Sequence, residues 1–119
     1  MLLDRFDSEE EREINLAYFN VLKSLQSDSS SYIFWRPVSS YEAPDYKDVI
    51  SRPMDLETIC KKVVARGYGV SSDSFCRDIM QVWSNCLLYN GEHDPISHIA
   101  RYLRALSEDV FTENSLISK

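Results

Sequence analysis

Trp83-Ser84-Asn85-Cys86-Leu87-Leu88-Tyr89-Asn90 ends an apolar segment of helical period, and Gly91 breaks it. Phe75, Ile79, Val82, Cys86 and Tyr89 step by four, three, four and three residues along one stripe. Cys76, Met80, Trp83 and Leu87 make a second stripe beside it, so this helix is broadly buried. A helix apolar over so much of its surface needs other elements on several sides. Its last residue is an amide, Asn90, at the edge of that apolar surface. The run that must face it is Phe34 to Asp55, punctuated by Pro37, Pro44 and Pro53.

Outward from this helix the signals are helical on both sides. Ser71 or Ser72 caps its start. Before it, Asp55 caps a second long helix with Leu56, Ile59, Val63 and Cys60 facing inward, and Gly67 is placed to end it in the left-handed conformation. After it, Asp94-Pro95 is a cap followed by proline at the first helical position. Ile96, Ile99, Leu103, Leu106 and Val110 then give a last helix that frays after about Asn114. At the other end, Ser8-Glu9-Glu10-Glu11 reads as a capping box with an acidic first turn. Ile14, Ala17, Tyr18, Val21, Leu22 and Leu25 follow at three- and four-residue steps, a helix from about 8 to 26 stopped by Ser27–Ser31. Four amphipathic helices without an alternating strand pattern predict an all-α four-helix bundle, with a long loop between the first and second helices and short connections elsewhere. The chain, 1–119, reads as one domain with its core at about 8–114.

The long loop is unusual in composition. From Tyr32 to Arg52 it carries Tyr32, Ile33, Phe34, Trp35, Val38, Tyr41, Tyr46, Val49 and Ile50, too apolar for a disordered linker. A loop of this length in a small domain is usually functional. It must pack on something, and a short helical turn is expected around Asp45–Ile50.

Several function classes are disfavoured. Thirteen basic against 19 acidic residues give a formal charge of -6, the wrong sign for gripping nucleic-acid phosphates and the right one for a basic partner. No apolar run approaches the ~20 residues of a membrane span. Met1–Asp7 is too acidic for a secretory signal. Cys60, Cys76 and Cys86, an odd number without close pairs, point to a reducing, intracellular compartment. Gly67-Tyr68-Gly69 lacks the rest of a phosphate loop. His93 and His98 make no zinc-site spacing with a cysteine, so neither metal nor cofactor is expected. Cys86 paired with His93 is the one nucleophile arrangement on paper. Its place on the core stripe argues for an inert thiol, and no enzyme activity is expected.

The order Phe34-x-x-Pro37-Val38, Pro44-Asp45-Tyr46, Val49-Ile50-x-x-Pro53-Met54-Asp55-Leu56 and Asn85-Cys86-x-x-Tyr89-Asn90 resembles a bromodomain, over about Tyr32 to Phe111. That resemblance implies a left-handed four-helix bundle with an acetyl-lysine pocket between the long first loop and the last short loop. By position, Asn90 would donate to the acetyl carbonyl and Tyr46 would hold the same oxygen through an ordered water. Val38 and Phe34 would contact the acetyl methyl. Tyr41, Ala43, Cys86 and Tyr89 would complete the wall, with Ile96 flanking the mouth.

Elementary energetics fit those roles. Acetylation removes the ammonium charge and leaves an amide that an apolar slot can take. An unmodified lysine would bring a charge whose desolvation costs roughly several kcal/mol, and no acid stands among the implied pocket residues to compensate it. The family often has Trp-Pro-Phe where this chain has Tyr32-Ile33-Phe34, so the shelf beside the pocket is altered, with Trp35 one position away. The resemblance implies a nuclear, monomeric reader of acetylated lysine peptides such as histone tails, acting in chromatin and transcription regulation. The second reading is a bromodomain-like scaffold with a pocket too modified to bind, offering only a protein–protein surface.

Overall fold

The computed structural model describes residues 8–117. The acidic run Met1–Asp7 lies outside them. Among the described residues five α-helices and one 3-10 helix follow in order: α1 Glu9–Ser27, the 3-10 helix Ser29–Phe34, α2 Tyr46–Val49, α3 Leu56–Val64, α4 Ser72–Asn90 and α5 Pro95–Glu113. There is no strand among the described residues. α1, α3, α4 and α5 form the bundle. α4 packs most extensively on α5, α1 touches both α5 and α3, and α3 closes the ring against α4.

Three of the bundle helices are capped as their sequences dictate; the expected serine cap of α4 is not made, since Ser71 stands at the N-cap without a side-chain bond and Ser72 Oγ donates instead to Leu116 C=O at 3.0 Å. Glu11 N–H donates to Ser8 Oγ at 3.1 Å, Thr58 N–H to Asp55 Oδ2 at 2.8 Å, and Ile96 N–H to Asp94 Oδ1 at 3.0 Å. Each satisfies one of the donors that a helix start leaves open. The serine cluster ends α1 at Ser27 as expected, and within it Asp28 accepts from Ser30 N–H and from Ser30 Oγ and caps an unexpected 3-10 helix over Ser29–Phe34. Two expectations about the second bundle helix need correction. The second bundle helix is short, nine residues rather than a long one. Its left-handed exit residue is Arg66, φ 60°, not Gly67. Gly67 sits instead against Lys62, whose Cγ would lie 2.6 Å from an added Cβ.

Tyr18, Phe75, Ile79, Trp83 and Leu103 are wholly buried at the centre. Tyr18 stacks on Phe75 at 4.3 Å between ring centroids. The indole N–H of Trp83 donates to Ser107 Oγ at 3.0 Å, and Ser107 donates on to Leu103 C=O at 2.7 Å, so the largest core side chain leaves no polar atom unpaired.

The loop from α1 to α3 is fastened at both ends. Glu57 N–H donates to Trp35 C=O at 3.0 Å. The amide of Asn85 donates to Arg52 C=O at 2.9 Å, and the Arg52 guanidinium pairs with the buried carboxylate of Asp78. Tyr68 OH donates to the other Asp78 oxygen at 2.7 Å. Burial, and then this bond to a carboxylate, push the Tyr68 hydroxyl well above the ordinary phenol range. Between its fastened ends the loop carries a small core of its own, Ala43, Tyr46 and Ile50, against which Tyr89 packs. The expected helical turn is α2, at Tyr46–Val49.

Candidate functional site

α4 delivers Cys86, Tyr89 and Asn90 to one end of the bundle, and Gly91 ends it with φ 83° and ψ 161°. Only glycine takes that backbone region readily. The connector to α5 is held tight: Ser97 Oγ donates to Gly91 C=O at 2.6 Å, and Arg101 donates to Glu92 C=O at 3.1 Å. Ile96, at the start of α5, is thereby set beside Asn90. Opposite, the long loop carries Phe34 at the end of the 3-10 helix, Val38 after Pro37 and Tyr46 at the start of α2, all lining the same cavity as Asn90. Phe34 is anchored edge-on against Trp83, 5.1 Å between ring centroids.

A cavity of about 400 Å3 opens between these two sides. Seven of the nine expected site residues line it: Phe34, Val38, Tyr46, Cys86, Tyr89, Asn90 and Ile96. Tyr41 and Ala43 do not. Ser39 accepts from Glu42 N–H at 3.1 Å and from Ala43 N–H at 2.9 Å, and this turn throws Tyr41 outward, 93% exposed. Ala43 is carried to the back, into the loop's own small core. The same turn brings Glu42 to the cavity, where no acid was expected, together with Arg36, both exposed.

Pro37, Met54, Ile33 and Val82 complete the wall. The first two stand inside the quoted motifs, and Val82 lies one turn before Cys86 on the same stripe, so periodicity could have found it. The shelf question also resolves. Ile33 lines the cavity and Tyr32 stands 81% exposed beside it. Trp35 is turned into the bundle, its indole N–H donating to Ser31 Oγ at 3.2 Å.

The polar groups among these apolar walls are few. The Asn90 amide nitrogen donates to Cys86 C=O at 3.1 Å and lies 3.6 Å from Cys86 Sγ. Sulfur is a weak acceptor, so the second N–H of the amide is free to prefer an oxygen. Burial pushes the Cys86 thiol up; the Asn90 contact lowers it and Asp94 raises it further. A raised thiol is the wrong state for a nucleophile. Burial likewise raises the Tyr46 hydroxyl, which stays a neutral donor through the physiological range. Tyr89 OH donates to Asp45 Oδ1 at 2.6 Å, and this bond raises the Tyr89 hydroxyl.

Among the described residues no three of His, Cys, Asp and Glu gather to hold a metal ion. His93 and His98 are both exposed, and His98 Nδ1 lies 2.8 Å from Arg101. No helix of the described residues is long and apolar enough to cross a membrane. The cavity can thus seat a neutral group with a short apolar end and one hydrogen-bond acceptor.

The bromodomain family model matches residues 18–102. The chain belongs to the bromodomain family. It is 37% identical over 108 residues to human ATPase family AAA domain-containing protein 2B, covering 88% of this chain and 7% of that protein. It is 39% identical over 85 residues to the SAGA complex subunit Spt7 of Schizosaccharomyces pombe, covering 71% of this chain and 8% of the relative. The chain therefore spans less than a tenth of either relative. The bromodomain of human BAZ1A superposes with a TM-score of 0.80 at 29% identity, over 85% of this chain and 94% of that one. The bundle described above is accordingly the left-handed four-helix bundle of the bromodomains, a fold of reader modules, and the cavity lies where the long first loop of this bromodomain meets the connector before α5.

Proposed function

We propose that this bromodomain reads acetylated lysine, and that chain 1–119 works as a single, monomeric, non-catalytic module of that kind. The observation that carries the reading is the Asn90 amide, which lines a mostly apolar cavity with a weakly engaged N–H, across from Tyr46. An acetyl carbonyl would complete that donor. Left unpaired in the cavity, the carbonyl would lose about 1–3 kcal/mol, whereas the made bond contributes ~1 net, so orientation is set mostly by the cost of the wrong pose. Phe34 and Val38 give apolar surface that suits a methyl group, with Ile96 flanking the mouth. Discrimination against unmodified lysine rests on depth, because Glu42 at the cavity's edge can accompany an ammonium only at the mouth. The partners are acetylated peptides, histone tails above all. An acidic domain suits a lysine-rich tail, and the SAGA complex subunit and the rice histone acetyltransferase among the relatives support a nuclear setting in chromatin and transcription.

The test is a titration of Nα-acetyl-Nε-acetyl-lysine methylamide followed by backbone amide resonances. Val38, Tyr46, Cys86, Asn90 and Ile96 should shift together and saturably. Shifts confined to acidic surface residues, and abolished by salt, would count against the pocket.

A further inference from the structure

Four aspartates stand at helix N-caps: Asp28, Asp45, Asp55 and Asp94. Three of them accept from a backbone N–H two or three residues on. Asp45 does not cap its helix; its carboxylate is committed instead to Tyr89 OH, 44 residues away on α4. The helix it heads has four residues, far too few to hold its shape alone, so contacts with the rest of the protein must set its position. Those contacts are narrow. Ala43, Tyr46 and Ile50 form a cluster separate from the main core, and Tyr89 is the partly buried apolar residue packed on it. The Tyr46 and Tyr89 rings meet edge to face, 4.9 Å between centroids.

We infer that Asp45 is a positioning residue of the cavity: by accepting from Tyr89 OH it latches α2 to α4 and so fixes Tyr46 opposite Asn90. The inference rests on the ligand reading above for its effect on binding, but not for the latch itself. Tyr89 is held at two points: its ring packs on Tyr46, and its hydroxyl holds the residue just before Tyr46 in the chain. Losing the bond leaves the loop fastened at Trp35 and Arg52 while its middle can swing. Because the bond lies at the surface, it matters little to global unfolding and much to where Tyr46 stands.

Asp45→Ala, Tyr89→Phe and the double variant test this with two readouts. In ligand-free protein, hydrogen exchange at the Val49 and Ile50 amides, bonded to Asp45 C=O and Tyr46 C=O, should quicken in either single variant while the melting temperature holds within about 2 °C. The affinity for Nα-acetyl-Nε-acetyl-lysine methylamide should fall about three- to tenfold in each single variant, and no further in the double, because both remove one bond. Unchanged exchange overturns the latch, whatever the ligand does. Faster exchange with unchanged affinity, or losses that multiply in the double variant, overturns the positioning role. A wild type that ignores the probe refutes the acetyl-lysine reading, and with it the positioning role, while exchange still decides the latch.

Discussion

Asn90 is recognisable as a cavity-facing residue only through its surroundings. An asparagine before a glycine at a helix end is ordinary capping chemistry, and Gly91 here does end α4. The difference lies in Cys86: its carbonyl takes one N–H of the amide and its sulfur faces the other, so the side chain is held in place without being used up. Cys86 is correspondingly an apolar wall. With its thiol raised by burial, it should react with a small disulfide probe more slowly than cysteine in an unstructured peptide, and labelling at the peptide rate would show the wall to be open. Seven cavity residues were legible in the sequence because motif spacing and helical period are local properties. Tyr41, Ala43 and Glu42 were not. Their facing is decided by the turn from Ser39 to Ala43, a local matter of hydrogen bonds that no apolar pattern records.

The loop and the connector, more than the bundle helices, shape the site. Gly91 has open space around its absent Cβ, so Gly91→Ala should cost only backbone strain, about 1–3 kcal/mol, and should misplace Asn90 relative to Ile96. Thermal melting and ligand affinity should therefore fall together. Asp78 is the loop's other anchor, 2% exposed, with Arg52 and Tyr68 on its two oxygens. Asp78→Ala should destabilise the domain by about 1.5–3 kcal/mol in denaturant unfolding, the range for hydrogen bonds to a charged group. A loss under ~0.5 would show the clamp to be idle. Helix starts were readable because Ser8, Asp55 and Asp94 cap through their own side chains. The 3-10 helix was hidden because serines signal a stop and a cap equally well. Arg66 took the left-handed position expected of Gly67 because α3 stops at Val64, before the glycine.

For the molecule as a whole, an all-α bundle followed from the four periodic segments, and the order of the loop motifs indicated its family. The aromatic cluster at the far end from the cavity sets an alkaline limit. Burial holds Tyr18 at about 12 against an ordinary 10.0, with Cys76 adding to the shift. Unfolding frees this phenol to ionise, so its contribution to stability is complete below pH 10 and is lost as pH rises towards 12. Urea midpoints should be flat from neutrality to about pH 8.5 and then fall, first through the Cys76 thiol, which burial raises from 9.0 to about 11, and above pH 10 through the phenol; Tyr18→Phe should soften the upper part of that fall. The central claim, that this bromodomain takes acetylated lysine through Asn90, is tested most directly by calorimetric titration of paired lysine-rich histone-tail peptides, acetylated and unmodified, into wild type and Asn90→Ala. Binding of the acetylated peptide alone, weakened about tenfold or more by the substitution (~1.4 kcal/mol) in a protein that keeps its fold, is the expected result. Equal binding of both peptides, abolished by salt and indifferent to Asn90, would contradict it.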